Sequence, residues 1–204
     1  LQGIGVIKTV SEEKLRTFIA IRLSEEIRDF LGKLQDRLKT SNADVKWVKK
    51  DNIHLTLKFL GETEGKKIDD IIKIIDGIAD NISVFQLEVA SIGVFPKKEY
   101  PRVIWAGLIK GDEEIRGIAT QLENAICKLG LPKETRPFSS HITLGRVRSP
   151  LNRRQLVEQL NYLEGNFPKE RPLYRVDGIT LFKSTLTPAG PIYEVLHERN
   201  LKTN

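Results

Sequence analysis

The sequence is poor in the residues that form disulfides and bind metals. Its 204 residues include one cysteine, no methionine and three histidines. A single cysteine excludes an intrachain disulfide, and Cys127 falls in a helical apolar pattern with Ile126 and Leu129. This position favours a packed or half-packed structural thiol over a nucleophile.

Long apolar runs are also missing. No stretch approaches the about 20 apolar residues that span a bilayer, and residues 1–15 lack the charged-then-apolar layout of a secretory signal. We therefore expect a cytoplasmic protein with no membrane partner. Because even an initiator methionine is absent, we interpret residues 1–14 as an extension, left by processing or added in cloning, with no role in the fold.

The overall composition is that of an ordinary globular domain. Hydrophobic residues make up 40% and charged residues 29% of the chain, which allows a sizeable core in a single domain. The formal net charge of +6 suits a polyanionic substrate such as RNA. Many basic proteins bind no nucleic acid, so charge alone does not identify a function.

One four-residue pattern occurs twice. His54–Leu57 reads HLTL and His141–Leu144 reads HITL, so two of the three histidines share one context. Side chains of a strand alternate between its two faces. Each histidine therefore shares a face with the threonine two residues later, and Lys58 is expected on that face in the first copy.

Other segments recur at nearly the same spacing, which indicates two copies of one unit. The histidines are 87 positions apart, and Phe95 recurs as Phe182 at the same offset. Ser24–Arg28 (SEEIR) recurs as Asp112–Arg116 (DEEIR) 88 positions later. We infer one catalytic domain, 1–204, with two similar lobes at about 16–98 and 101–197.

Each copy reads as β-α-β-α-β. Ser24 and Asp112 are suited to cap the first helix of each copy, because glutamates follow in the first turn and apolar residues then recur at helical spacing. The first strand of each copy is predicted at Thr17–Leu23 and at Val103–Ile109, and the histidine strand at about 52–60 and 139–147. The third strand is predicted at Phe85–Phe95 and at Tyr174–Lys183. A last strand is predicted at Ile192–His197.

This order of elements predicts an α+β fold. We expect a bilobal, pseudo-twofold duplication in which two antiparallel sheets flank a central cleft and the helices lie outside. The twofold relation would bring the two histidine strands to matching positions. A single His-x-Thr pattern suits an ordinary strand histidine, but two in equivalent places of a duplicated unit favour a functional site.

The two histidines and two threonines suit attack on a phosphodiester. Histidine titrates near pH ~6.5, so one imidazole can take a proton from water while the other gives one to the leaving oxygen. Thr56 and Thr143 can donate hydrogen bonds to phosphoryl oxygens. No metal is required, and two histidines fall short of the three protein ligands of a catalytic zinc. The residues alone do not say which of His54 and His141 is the acid.

Several further residues are candidates for substrate contact. Arg146 is out of phase with His141, but a bulge near the strand end would let it reach a phosphate. Trp47 and Trp105 could stack on a base, although the apolar strand around Trp105 favours a core position. His197 is interpreted as a surface or strand-end residue. Most remaining basic residues near the cleft segments are interpreted as solvated surface: Lys46, Lys49, Lys50, Lys97, Lys98, Arg102, Arg148, Arg153 and Arg154.

The two patterns and their flanks resemble a known family. HLTLKFLG at His54–Gly61 and HITLGRV at His141–Val147 are similar to the paired motifs of the two-histidine phosphoesterases. Within that superfamily the chain most resembles the RNA 2′,3′-cyclic phosphodiesterases, also called 2′-5′ RNA ligases. Supporting stretches, which extend the resemblance over nearly the whole chain, are RTFIAI at Arg16–Ile21, PRVIWAGL at Pro101–Leu108 and STLTPAGPIYEVL at Ser184–Leu196.

The resemblance implies a bilobal fold with a central cleft and a defined reaction. RNA ends with a 2′,3′-cyclic phosphate would be hydrolysed to a 2′-phosphate without metal or cofactor, and tRNA halves could be joined reversibly through a 2′-5′ linkage. His54 would be the proton donor and His141 the proton acceptor, with Thr56 and Thr143 binding phosphate. We expect the protein to act as a monomer.

Two other functions stay open at this point. One is a non-catalytic module that binds RNA ends or nucleotides, which the basic surface permits and the paired titratable groups argue against. The other keeps the chemistry but acts on a cyclic phosphate of ADP-ribose or on a 2′-5′ oligoadenylate. The residues that select the base lie in loops that the sequence does not place.

Overall fold

A computed structural model describes residues 14–203 of the chain. Within them the backbone forms nine strands and four α-helices. The strands are β1 (Lys14–Arg22), β2 (Val45–Trp47), β3 (His54–Glu64), β4 (Phe85–Lys97), β5 (Tyr100–Lys110), β6 (Ile142–Val147), β7 (Leu173–Val176), β8 (Gly178–Thr187) and β9 (Gly190–Asn200). The helices are α1 (Glu25–Lys39), α2 (Ile68–Ala79), α3 (Asp112–Ile126) and α4 (Arg153–Gly165). None of these helices is long and apolar enough to cross a membrane.

The strands form one curled antiparallel sheet instead of the two separate sheets expected. Their order is β7-β4-β5-β6-β3-β1-β8-β9, and β2 pairs with β6 outside this path. The two halves of the sheet meet where Leu55 of β3 pairs with Ile142 of β6. This central backbone pairing joins what the sequence suggested were two sheets.

The two repeats are interleaved in this sheet. β4, the third strand of the first repeat, pairs with β5, the first strand of the second repeat. In the same way β8, the third strand of the second repeat, pairs with β1. Each half of the sheet therefore takes strands from both repeats.

The helices cover the face of the sheet opposite the histidines. α1 packs beside α4 and α2 beside α3, so each first helix neighbours the second helix of the other repeat. Apolar residues at helical spacing are buried as predicted, and burying each Leu or Ile side chain stabilises the fold by roughly 1.5–3 kcal/mol. On α1 and α3 these residues are Ile27, Leu31, Leu34, Leu38, Ile115, Ile118, Leu122 and Ile126.

The two first helices begin differently. Ser24 caps α1 as predicted, because its side chain accepts a hydrogen bond from the Ile27 backbone N–H at 3.3 Å. In the second repeat the cap is Gly111, with φ of 83°, and not Asp112. A Cβ at Gly111 would lie 2.7 Å from the Gln86 carbonyl oxygen, so the close approach to β4 requires glycine here.

Most strands differ from the sequence expectation by a few residues at their ends, and three differences change the description of the fold. β1 begins at Lys14, three residues before Thr17, and residues 1–13 of the expected extension lie outside the described residues. β2 was not predicted. The strand predicted over Tyr174–Lys183 is divided at Asp177, because β7 pairs with β4 while β8 crosses to the other half of the sheet.

Candidate active site

The two histidine patterns lie side by side at the centre of the sheet. β3 and β6 are antiparallel, and Leu55 faces Ile142 in the ladder between them. Both side chains are fully buried on the helix face. This register places each histidine opposite the threonine of the other pattern, on the uncovered face. The facing residues are His54 with Thr143 and His141 with Thr56.

Both histidines are held by the same kind of backbone hydrogen bond. Nδ1 of His54 lies 2.7 Å from the Asn52 carbonyl oxygen, and Nδ1 of His141 lies 2.8 Å from the Ser139 carbonyl oxygen. A carbonyl oxygen can only accept, so Nδ1 carries the hydrogen in each neutral ring. Nε2 is then the atom of each ring that can exchange a proton with a substrate.

His54 lies in an aromatic cluster. Its ring centroid is 4.8 Å from that of Phe18 and 5.3 Å from that of Tyr193, which meets it edge-on. Phe182 stacks on Phe18 at 5.1 Å. Burial among these rings lowers the pKa of His54, and the hydrogen bond to Asn52 opposes this shift without cancelling it. The neutral imidazole is therefore favoured in the free protein.

His141 has a smaller aromatic neighbourhood. Phe95 meets it edge-on with the ring centroids 5.2 Å apart. Phe95 is the repeat equivalent of Phe182, whose centroid is 6.5 Å from that of His54. The twofold relation thus extends to one aromatic neighbour of each histidine.

The two tryptophans lie on opposite faces of the sheet. Trp105 is half-buried on the histidine face, where it pairs with Thr143 across the strands and its ring lies against Gly93. The expected core position of Trp105 is wrong, because Gly93 leaves room for the indole on the sheet surface. Trp47 packs over Gly145 on the helix face and is therefore not placed to stack on a base.

Matching β-bulges occur at the last residue of each histidine pattern. Leu57 of β3 is left out of the ladder to β1, and Leu144 of β6 is left out of the ladder to β5. The two leucines are 87 positions apart, so the irregularity belongs to the repeat. A bulge shifts the alternation of faces for the residues that follow it, up to the next bulge. In β3 a second bulge follows at Leu60, so the shift applies to Lys58 and Phe59.

The bulges decide which face carries Lys58 and Arg146. Lys58 was expected beside His54, but it is buried on the helix face, where its Nζ donates to Glu123 of α3 at 2.6 Å. Phe59 takes the place on the histidine face and is 64% exposed. The bulge at Leu144 places Arg146 on the histidine face, as expected if a bulge lay near the end of this strand.

Arg146 and Arg16 both act electrostatically on Tyr193. Burial raises the pKa of the Tyr193 phenol, and the two guanidinium groups oppose that shift. Because Tyr193 contacts His54, the two positive charges act on the aromatic cluster around His54. The motif reasoning missed Tyr193 and Arg16, and only the RTFIAI and PIYEVL stretches of the resemblance contained them.

Glu123 joins three segments behind β3. Besides Lys58, it accepts from the Cys127 thiol at 3.1 Å and from the Glu134 backbone N–H at 3.0 Å. Burial alone would raise the pKa of Glu123, but these hydrogen bonds outweigh it and the pKa is lowered. The bond to Glu123 raises the pKa of Cys127, which fits the structural thiol expected.

The third histidine lies apart from the site. Nε2 of His197 is 2.7 Å from a carboxylate oxygen of Asp76 in α2, so it links β9 to a helix. Within residues 14–203, no three His, Cys, Asp or Glu side chains cluster as metal ligands would.

The repeat seen in the structure is also the repeat of a known family. The model described as LigT like Phosphoesterase matches the chain twice, at residues 21–105 and 109–193. These two matches cover most of the chain. The chain belongs to the LigT-like phosphoesterases.

Curated relatives of this LigT-like phosphoesterase are named RNA 2′,3′-cyclic phosphodiesterase. The relative from Methanothermobacter thermautotrophicus is 36% identical over 180 residues, which cover 88% of this chain and 95% of that protein. The relative from Thermotoga maritima is 34% identical over 185 residues, which cover 90% and 94%.

Solved structures have the same fold as this LigT-like phosphoesterase. TT0787 of Thermus thermophilus matches with a TM-score of 0.76 and 28% identity, over 92% of this chain and 98% of that one. E. coli LigT complexed with 3′-AMP matches with a TM-score of 0.73 and 26% identity, over 93% and 98%.

Proposed function

We propose that this LigT-like phosphoesterase hydrolyses RNA 2′,3′-cyclic phosphate ends to 2′-phosphates without a metal. One observation carries the proposal: His54 and His141 are related by the repeat, and each binds a backbone carbonyl through Nδ1, which leaves Nε2 for proton transfer. The names of the curated relatives support the same substrate class. Reversible 2′-5′ ligation, with tRNA halves among the substrates, belongs to the same proposal.

Two proton transfers accompany the reaction. Nε2 of His141 takes a proton from water as the water oxygen bonds to phosphorus. The bond between phosphorus and O3′ breaks, and the proton on Nε2 of His54 passes to O3′. The products are a 3′-hydroxyl and a 2′-phosphate. With a 5′-hydroxyl in place of water, the same transfers form a 2′-5′ phosphodiester.

Charge and hydrogen bonding on the phosphate come from the residues around the histidines. Thr56 and Thr143 lie opposite the histidines in register, where their hydroxyls can donate to the non-bridging oxygens. Arg146 supplies a positive charge on the same face, a short distance along β6.

The lowered pKa of His54 bears on its role as proton donor. Burial favours the neutral ring in the free protein, whereas the negative charge of a bound cyclic phosphate favours the imidazolium. We therefore propose that His54 takes up its proton as the substrate binds. The assignment of donor and acceptor follows the family pattern, since both rings have the same tautomer.

All the side chains of the proposed site come from one chain. We propose accordingly that the protein is a single catalytic domain and acts as a monomer in the cytoplasm. Light scattering at assay concentration would test the monomeric state, because a monomer has a mass near 23.2 kDa.

Replacing the two histidines tests the proposed function. We expect His54→Ala and His141→Ala each to lower kcat for adenosine 2′,3′-cyclic phosphate by about 100-fold or more, because each removes one proton transfer. Chromatography of the product should show the 2′-phosphate, and EDTA should change neither rate nor product. His197→Ala is the matched control and should retain activity, since His197 binds Asp76 away from the site.

Three outcomes would change the assignment. Undiminished, EDTA-resistant turnover in the double histidine variant would rule out these residues as the proton-transfer pair. Saturable RNA binding by the unmodified protein with no product would favour a non-catalytic module. Faster turnover of an ADP-ribose cyclic phosphate or a 2′-5′ oligoadenylate would change the substrate and keep the chemistry.

A further inference from the structure

A second basic residue lies directly beside Arg146 on the histidine face. Lys46 of β2 is the cross-strand partner of Arg146. On either side of Lys46, Val45 and Trp47 pack over Gly145 on the helix face, where a Cβ on Gly145 would come within 2.7 Å of the Val45 side chain. Because strand side chains alternate, Lys46 points to the face that holds Arg146 and the two histidines.

Among the residues that the structure describes, neither of these two positive charges has an acidic partner. Like charges directly opposite in a sheet repel each other. Lys46 and Arg146 are exposed, and we find no ion pair to either within residues 14–203. Among the other basic residues near the cleft segments, Lys50, Lys98 and Arg154 have carboxylate partners, whereas we find no ion pair within residues 14–203 for Lys49, Lys97, Arg102, Arg148 and Arg153. The Lys46–Arg146 pair differs from these residues because its two charges face each other directly across paired strands. An anion from outside the protein would remove the repulsion at the Lys46–Arg146 pair.

The position of the pair along β6 indicates which anion it binds. Arg146 follows Thr143 by three residues, which is at most roughly 10 Å at about 3.3 Å per residue, and the bulge at Leu144 shortens that distance. Arg146 can reach back to the reacting phosphate, whereas Lys46 lies on the neighbouring strand beyond it. A polynucleotide whose cyclic end lies between the histidines would carry its next phosphate past this pair.

We propose that Lys46 binds the phosphodiester on the 5′ side of the terminal nucleoside. The preferred substrate is then an RNA chain with a cyclic phosphate end, and a mononucleotide cyclic phosphate lacks the group that Lys46 contacts. This inference rests on the proposed function, since it takes the reacting phosphate to lie between His54 and His141. Lys46 acts in substrate binding and makes no contact with the reacting atoms.

The test compares two substrates in the full-length protein. Lys46→Gln should lower kcat/KM for a dinucleotide with a 2′,3′-cyclic phosphate end by about 5-fold at 0.1 M salt, and should leave adenosine 2′,3′-cyclic phosphate unchanged. The salt dependence of log kcat/KM for the dinucleotide should become shallower by about 0.7, as expected when one single-strand phosphate contact is lost. The matched control is Lys33→Gln, which makes the same charge change on α1 in the helix layer.

Two kinetic results would overturn the inference. Equal loss on both substrates would mean that Lys46 acts at the reacting phosphate, and no loss on either would mean that it binds no phosphate. If the unmodified protein turns over neither substrate, the proposed function fails. The inference about Lys46 can then be tested separately, by measuring how tightly the unmodified protein and the Lys46→Gln variant bind the dinucleotide and adenosine 2′,3′-cyclic phosphate. If the Lys46→Gln variant binds the dinucleotide more weakly than the unmodified protein does, but binds adenosine 2′,3′-cyclic phosphate equally well, a phosphate contact is supported. If the two proteins bind the dinucleotide equally well, the inference is overturned.

Discussion

Phe59 and Arg146 occupy equivalent positions of the two repeats. Each follows its histidine by five residues and lies just beyond a bulge, on the histidine face. One is an exposed aromatic ring and the other a guanidinium. The nearly twofold backbone therefore presents an aromatic ring at one of two equivalent positions and a positive charge at the other.

Removing the charge of Arg146 should weaken transition-state binding. We expect Arg146→Ala to lower kcat/KM for adenosine 2′,3′-cyclic phosphate by about 10- to 100-fold, since a hydrogen bond to a charged group contributes about 1.5–3 kcal/mol. Arg146→Lys should recover only part of this, because lysine lacks the paired donors of guanidinium. Arg154→Ala on α4 is the control and should have little effect, and a loss as large as that of Arg146→Ala would point to overall charge instead.

The pH dependence should separate the free and the substrate-bound forms of His54. Burial lowers its pKa in the free protein, and bound phosphate should raise it. Because kcat/KM reports the free enzyme and kcat the complex, we expect the alkaline limb of kcat/KM to lie at lower pH than that of kcat. NMR titration of His54 should give a pKa below about 6.5 without ligand, rising when inorganic phosphate is added.

Coincident alkaline limbs, or a ligand-free His54 titrating above that value, would contradict the proton uptake described here. His54→Asn gives a matched NMR control, because it removes one imidazole signal and so identifies the resonance that belongs to His54.

The ion pair between buried Lys58 and half-buried Glu123 should matter for stability. Lys58→Met leaves Glu123 without its cation, and we expect the free energy of unfolding to fall by about 2–3 kcal/mol. Because the pKa of folded Glu123 is lowered, its stabilising contribution is complete above the unfolded value of about 4.3 and is lost as the pH falls through the folded value. The difference between the variant and the original protein should therefore shrink below about pH 4.3.

Chemical denaturation at several pH values measures this difference. The double variant Lys58→Met, Glu123→Gln removes both charges, and it should be more stable than Lys58→Met alone at neutral pH. Equal stability of the single and double variants would show that the charge on Glu123 carries no cost when its partner is removed.

Gly145 should be sensitive to the addition of a single methyl group. In Gly145→Ala the new Cβ would lie 2.7 Å from Val45 and 3.0 Å from Trp47, and we expect a loss of about 1–3 kcal/mol from overpacking. Gly77→Ala in α2 is the opposite case, since no atom lies within 4 Å, and it should stabilise the protein by up to about 1 kcal/mol. Thermal unfolding of both variants, and of Gly145→Ala with Val45→Ala as a rescue, checks the expectation.

The order of elements was readable from the sequence because it depends on local patterns. The spacing of apolar residues predicted four helices, and the repeated histidine pattern located both strands at the centre of the sheet. Ser24 was recognised as a cap for the same reason. Gly111 was not, because the need for glycine there comes from the approach of β4, which is distant in the sequence.

The faces of individual side chains depended on strand pairing and could not be read in this way. Simple alternation put Lys58 beside His54 and Arg146 out of phase, and the bulges at Leu57 and Leu144 reverse both placements. The single sheet and the division at Asp177 have the same origin, since both follow from which strand is the neighbour. A one-residue irregularity in a ladder leaves no periodic signal in the sequence.

The exchange of third strands gives this chain the topology of a domain-swapped dimer joined end to end. A polypeptide with one repeat would leave Phe85–Lys97 without the strand it pairs with here, and two such polypeptides could complete each other by trading that segment. The turn at Lys98 and Glu99 is then the fusion point. Leu55 and Ile142 lie at the pseudo-twofold axis, where each histidine is opposite the threonine of the other repeat. Because both repeats belong to one chain, the surroundings of the two histidines can differ, which two identical subunits would not allow.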